Sequence, residues 1–378
     1  MILEQPPVWL ILVAFIAALG PLVFIHELGH YLVGRWFGVG AETFSIGFGR
    51  EIAGWTDRRG TRWKVGWLPL GGYVRFAGDM DPASMGKGLD KLEPAERARS
   101  FHAKPVWQRF LIVLAGPMAN FLLAIAIFAS FFAVYGVPST PSVVGSVLEG
   151  SAAERAGLQL GDRIVALAGR DVESFRQLRS IAVLRPGETL PMEVQRGGEL
   201  RVISVTLGET VEVDRFGQRY RIGQLGVAPV PGRRFEHVSA LQLIPEATRY
   251  TVEITQITMD GLWQIITGRR PVTDMGGPLK MAQIAGQQAA MGPVEFIHII
   301  ALFSINLGFI NLLPVPMLDG GHLVLYTVEA VRRRPLGERA QEWMFRGGLA
   351  ALLTLILFTT VNDLGSFGLW DRLSHLIG

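Results

Sequence analysis

The sequence predicts a polytopic α-helical membrane protein. It has four transmembrane helices, a re-entrant β-hairpin, and an α+β module inserted on the extracytoplasmic side. Three observations predict it. Only 18% of the 378 residues are charged and the mean hydropathy is +0.32, too apolar for an ordinary soluble enzyme. Four stretches are nearly free of charge, Val8–Ile25, Phe110–Ser146, Phe296–Leu318 and Gly347–Asn362. Each approaches the roughly 20 apolar residues that a helix needs to cross a bilayer, the last if residues 343–345 extend it. Between the second and third lies a long polar region with strand-like alternation. The chain divides accordingly into 1–137, 138–232, 233–292 and 293–378.

The first span ends in His26-Glu27-Leu28-Gly29-His30. The start of the chain carries Glu4 where a signal peptide would have a basic residue, and no small-x-small site follows, so the helix is expected to be retained. Arg35, Arg109, Arg332-Arg333-Arg334 and Arg346 flank one set of ends; Glu4, Glu149, Glu295 and Asp363 flank the other. Basic flanks stay in the cytoplasm, which predicts both termini outside.

Residues 31–109 are expected on the cytoplasmic side. Within them Trp67-Leu68-Pro69-Leu70-Gly71-Gly72-Tyr73-Val74-Arg75-Phe76 reads as a hairpin or sharp bend at Gly71-Gly72, apolar enough to dip toward the membrane. Residues 79–99 read as a polar loop with a short helix. In the inserted module, Ser151–Ala156 is a short helix, Leu160-Gly161-Asp162 a turn, and Arg163–Leu167 a strand; Thr189–Gln195 and Leu200–Thr206 pair across Gly197-Gly198. Val211–Val230 reads as a further β segment. Phe235–Arg270 is helical, with an apolar stripe through Leu241, Ile244, Thr248, Thr251, Ile254 and Ile257, and Gly276-Gly277-Pro278 breaks it.

Two histidines four positions apart share one helix face, so a metal would meet two imidazoles and a neighbouring base, Glu27. Ionisable groups at membrane depth are costly unless paired or functional. The chain has no cysteine, so a metal must be held by His, Asp or Glu. The third ligand is sought in Asn311-Leu312-Leu313-Pro314-Val315-Pro316-Met317-Leu318-Asp319-Gly320-Gly321-His322. The first and third spans cross in the same direction, so Asp319 reaches the depth of His26 and His30; His322 is the rival. Pro314 and Pro316 remove backbone donors and unwind the span, which is tolerated where it lines a cavity. Asn306 and Asn311 hold a peptide or a developing oxyanion, or else bond between helices. His102, His237, His298 and His375 lack metal-like spacing.

The run Gly150–Ile164 resembles the PDZ domains of bacterial proteases. Together HELGH, the PLGGYV hairpin, that module and NLLPVPMLDGGH resemble the site-2 protease family, RseP type, over nearly the whole chain. The resemblance implies one catalytic Zn2+ held by His26, His30 and Asp319, with Glu27 as general base. It implies substrate contacts at Asn311 and Pro314, and a bacterial inner membrane with the PDZ module periplasmic and the active site toward the cytoplasm. The expected reaction is cleavage of single-pass membrane proteins in or near their transmembrane segments, after another protease has trimmed them. Anti-sigma factors and signal-peptide remnants are the substrates it suggests. Gly71, Gly72 and Tyr73 would offer a strand edge to the unwound substrate. The partners expected are those substrates and the lipid bilayer, with no nucleic acid. Only one PDZ module fits, where the better-known enterobacterial type has two. A non-proteolytic scaffold and a metal transporter are the rival classes. A scaffold has no use for Glu27, and a transporter calls for more intramembrane ligands.

Overall fold

The computed structural model describes residues 5–78, 93–139, 141–213, 219–230, 234–236, 238–269, 271–272, 276–334 and 337–366. Its elements run α1 (Val8–Trp36), β1 (Ala41–Thr56), β2 (Arg62–Phe76), α2 (Pro94–Arg99), α3 (Val106–Tyr135), β3 (Val137–Ser139), β4 (Val144–Val147), α4 (Ala152–Arg155), β5 (Arg163–Leu167) and β6 (Arg170–Asp171). They continue α5 (Phe175–Val183), β7 (Thr189–Arg196), β8 (Glu199–Thr206), β9 (Gly208–Val213), β10 (Arg219–Gln224), β11 (Val227–Pro229), β12 (Arg234–Glu236), α6 (Ala240–Ile266), α7 (Pro278–Met291), α8 (Pro293–Leu312), α9 (Asp319–Arg332) and α10 (Glu338–Ser366). Among the described residues, α1, α3, α8 and the Glu342–Gly365 part of α10 are long and apolar enough to cross a membrane. Residues 79–92 of the expected cytoplasmic loop, and His237 and His375, lie outside the described residues.

Two compact units form, Pro6–Phe128 with the chain from Ile265 onward, and Ala129–Gln264. In the first, α1 does not stop at Ile25 but continues to Trp36, so the histidine motif sits inside a continuous helix. Small residues set the packing, as is common between helices in lipid. A Cβ at Gly29 would meet the carbonyl oxygen of Ala115 on α3, and one at Gly308 of α8 would lie 3.0 Å from the carbonyl oxygen of Pro117. Ala14, Ala18, Leu22, Ala285 and Phe303 join α1, α7 and α8 in one buried cluster. α8 ends at Leu312, short of the predicted Leu318, because Pro314 and Pro316 cannot donate to a continuing helix. The chain crosses the gap without helix and restarts at Asp319.

The β-strands of this unit depart from a simple hairpin. Residues 43–46 pair on one side with 62–65 and on the other with 72–75, while 53–56 also pair with 62–65. The bend predicted at Gly71-Gly72 is present, with Gly71 at φ +94°. The legs on either side of it are not paired to each other, because the first leg of β1 runs between them. The tight turn lies instead at Asp57–Thr61, where the Asp57 carboxylate accepts from the backbone N–H groups of Arg59 and Thr61. The outer edge of 72–76 carries no strand among the described residues.

In the second unit, β6-β5-β7-β8 form an antiparallel sheet. Gly197 and Gly198, both at positive φ, make the β7–β8 turn that right-handed strand twist favours. Ser174 and Gln177 form a capping box that starts α5. Ile164, Leu167, Leu178, Met192, Val194 and Val205 fill the core. The expected trailing β segment is the β9–β10 hairpin followed by β11, which pairs with β4.

The stripe predicted on α6 is split, exposed over its first turns and inward further on, where its member Thr251 is buried. Leu241 is 90% exposed and Ile244 64%, while Ala247, Thr251 and Gln264 are buried. The helix meets its own unit through charge: Arg176–Glu253 at 3.3 Å, Arg170–Asp260 at 2.5 Å, and the Arg176 guanidinium 4.4 Å from the Tyr250 ring centre. Arg170 and Arg176 of the module thus find acidic and aromatic partners on α6.

Candidate metal centre

One turn of α1 supplies both imidazoles. His26 and His30 lie with ring centres 4.8 Å apart and planes nearly perpendicular, at 86°. His30 Nδ1 is 2.9 Å from the Ile112 carbonyl oxygen. That carbonyl can only accept, so Nδ1 carries the proton and Nε2 is left with a free lone pair. The His26 Nε2 lies 3.2 Å from it.

The third group arrives from the broken span. Pro314 and Pro316 keep the chain extended after α8, and Met317 turns it through φ +81°. Gly320 and Gly321 then coil back onto the carbonyls of Leu313 and Val315 so closely that no Cβ fits. This compact turn makes Asp319 the first residue of α9, where its side chain caps no backbone N–H of that helix. Its Oδ2 is 3.1 Å from His26 Nε2 and 3.4 Å from His30 Nε2. Among the described residues, the group that could hold a metal ion is His26, His30 and Asp319, with ligand atoms all within 4.8 Å of one another.

The donor set fits zinc. Asp319 Oδ2 is buried and receives no well-formed hydrogen bond, although two imidazole nitrogens face it. The two Nε2 atoms and this oxygen converge within hydrogen-bonding range of one another, and a cation among them would take all three as ligands. Two nitrogens and one carboxylate oxygen leave one tetrahedral position open, the pattern of catalytic zinc.

These groups open into a cavity of about 400 Å³. Its wall includes Glu27, Gly71, Gly72, Tyr73, Asn311 and Met317, so four of the six residues read from sequence as substrate contacts line it. Asn306, on α8, and Pro314 are not in that wall. Glu27 accepts a hydrogen bond from the Val74 backbone N–H, and a Cβ on Gly72 would sit 3.1 Å from its Cγ. The 72–76 edge therefore runs directly beside the base. His322 lines the cavity but lies outside the ligand cluster. His298 packs edge-on against Phe128 at 5.6 Å, well away from it. Sequence reasoning passed over His102 and Tyr326, which both reach the wall, and Asn120, whose side-chain nitrogen is 3.2 Å from His26 Nδ1. A lone Asn inside an apolar helix was the available signal for the last; His102 gave none.

Comparison with known proteins supplies the frame for this geometry. The model of peptidase family M50 matches residues 14–355. A protein of Agrobacterium fabrum, provisionally named a zinc metalloprotease, is 44% identical over 360 residues, covering 94% of this chain and 96% of its own. A Rhizobium meliloti protein with the same provisional name is 41% identical, covering 93% and 95%. The metalloprotease MmpA of Caulobacter vibrioides is 38% identical over 391 residues, covering 97% and 98%.

Proposed function

The chain belongs to peptidase family M50, a family of zinc metalloproteases, and from that premise we propose that it is an intramembrane endopeptidase of the RseP type. On this reading His26, His30 and Asp319 hold the zinc and Glu27 is the general base. The observation that carries it is the convergence of two imidazoles from α1 and a carboxylate after α8, beside Glu27, in a multi-pass helical protein.

Zinc, when bound, polarises the scissile carbonyl and makes a water acidic enough to attack near neutral pH. Glu27, in the cavity wall beside these ligands, would take a proton from the attacking water and return it to the departing amine. On this reading Asn311, which lines the cavity, donates from its side-chain amide to the developing oxyanion. A peptide bond inside an intact helix is closed to attack, so the substrate must unwind locally. The outer edge of residues 72–76, which carries no strand among the described residues, takes the unwound strand by main-chain pairing.

The substrates are single-pass membrane proteins, already trimmed by another protease and cut in or near their spans, such as anti-sigma factors or signal-peptide remnants. The α+β unit, with α5 beside a four-stranded sheet, is a single PDZ domain that meets extended peptide. The basic flanks at Arg35, Arg109 and Arg346 support a bacterial inner membrane orientation with both termini and the PDZ domain periplasmic and the active site toward the cytoplasm.

The test reconstitutes wild type and Glu27→Gln with a transmembrane reporter. Cleavage falls about 10²–10⁴-fold in the variant, the usual contribution of general acid–base catalysis, while zinc content stays at about one per chain. Equal rates for the two proteins would sink the assignment of Glu27.

A further inference from the structure

Asn120 is a fully buried polar residue on an apolar membrane helix, and the mechanism above makes no use of it. Its main chain is anchored, because Ser304 Oγ donates to its carbonyl oxygen at 2.8 Å. Its side-chain Nδ2 lies 3.2 Å from His26 Nδ1, while its Oδ1 is buried without a hydrogen-bond partner. An amide oxygen in that position gives up the hydrogen bonds it would make to water. A native site tolerates such an orphan only for a reason.

The two histidines face one requirement. To offer Nε2 to a cation as a neutral ligand, each must carry its proton on Nδ1, and that N–H needs an acceptor. His30 has the Ile112 carbonyl. His26 has Asn120 within reach, but with the amide nitrogen, a donor, turned toward it. This arrangement suits the opposite tautomer, with the His26 proton on Nε2 and directed at Asp319 Oδ2, 3.1 Å away. A half-turn of the terminal amide exchanges its oxygen and nitrogen within almost the same volume. The turn gives His26 Nδ1–H its acceptor and the orphaned oxygen its donor in one motion.

We propose that Asn120 is a positioning residue for His26, its amide oxygen accepting from Nδ1–H and so holding Nε2 unprotonated toward the cation. Asn120 touches neither substrate nor reacting atoms. It acts on which tautomer His26 adopts. The inference rests on the reading of His26, His30 and Asp319 as metal ligands.

The experiment measures zinc affinity of the full-length, detergent-solubilised chain by competition with a chromophoric chelator. Wild type, Asn120→Leu and Asn120→Asp are compared. Leucine keeps the volume and removes the acceptor, and it weakens zinc binding about 10- to 100-fold, the usual loss when such an outer partner is removed. Aspartate offers only acceptors and holds affinity within about three-fold of wild type or above it, since carboxylate–histidine–zinc arrangements are common. A purely structural role for Asn120 would favour leucine over a buried carboxylate, the reverse order. Equal affinity of wild type and the leucine variant, or a comparable loss in both variants, overturns the proposal. If the leucine variant fails to fold, the aspartate variant decides alone, with a loss above ten-fold counting against. Failure of wild type itself to bind zinc would refute the ligand reading first and this inference with it, whereas a wild type that binds with variants out of order refutes only the role of Asn120.

Discussion

Gly116 on α3 bears on the metal helix as closely as any residue does. A Cβ there would run into the His30 imidazole at Nε2, Cε1 and Cδ2. The ring cannot retreat without giving up its bond to the Ile112 carbonyl, so even one methyl has to displace it from the site. Gly116→Ala is therefore expected to lower zinc affinity and reporter cleavage at least ten-fold, with a stability loss of about 1–3 kcal/mol typical of overpacking. Gly20→Ala is the control, because nothing lies within 4 Å of that position and the change should leave both readouts unaltered. Cleavage and zinc affinity in Gly116→Ala that match the control would show the packing to be looser than these contacts imply. The same scale shows what could be read without coordinates. His26, Glu27 and His30 announce themselves by helical spacing, and Asp319 by its place after a proline-broken span. Asn120 and His102 do not, since what either side chain faces depends on a neighbour far away in sequence.

At the scale of elements, an ion pair ties the Asp162 turn of the α+β unit to the end of β7. Arg196, at the end of β7, donates from Nε and one terminal nitrogen to the two Asp162 oxygens, each at 2.7 Å, and again to the Gly157 carbonyl. Asp162 is 1% exposed. Those bonds from Arg196 draw its carboxyl below the ordinary aspartate range, against the opposing effect of burial, and the Gln159 backbone N–H adds to the pull. A carboxyl depressed in the folded state contributes stability that is complete above its unfolded value of about 3.9 and is lost as pH falls through the lower folded one. Hydrogen-exchange protection of the Ile164 and Val194 amides should then decline as the medium is taken from about pH 4 downward. Asp162→Asn should flatten that decline and cost about 1–3 kcal/mol at pH 7. An unchanged acid slope in the variant would assign the loss to other groups. The β7–β8 turn and the α4 start were legible because Gly197-Gly198 and Ser151 act through local geometry. The ion pairs that α6 makes through Glu253 and Asp260 were not, because their arginines lie far off in sequence on α5 and β6. Likewise Gly71 revealed a bend, but which strand would lie between its two legs is a matter of sheet pairing that composition does not encode.

Across the membrane unit as a whole, the proposed ligands are separated by nearly the length of the chain yet meet in one place. α1 contributes two and the turn after α8 the third, so a bound cation ties the start of the fold to its end. The three groups lie within 3.1–3.4 Å of one another, so a cation there would bridge α1 and the start of α9 directly. A ligand that binds the folded state alone adds stability as its free concentration exceeds Kd, about 2.7 kcal/mol at a hundred-fold excess. Stripping zinc with a chelator should therefore lower the melting temperature, abolish cleavage, and loosen amides around His26–Tyr31 and Asp319–Leu323. Restoring zinc should reverse all three. The β7–β8 amides report on a sheet with its own core and should exchange at the same rate throughout. In Asp319→Ala the chain-spanning link is cut, and added zinc should no longer raise the melting temperature by more than a small fraction of the wild-type gain. Equal zinc stabilisation of that variant and wild type would mean that the cation binds elsewhere, and that the meeting of α1 with the broken third span is packing rather than a metal site.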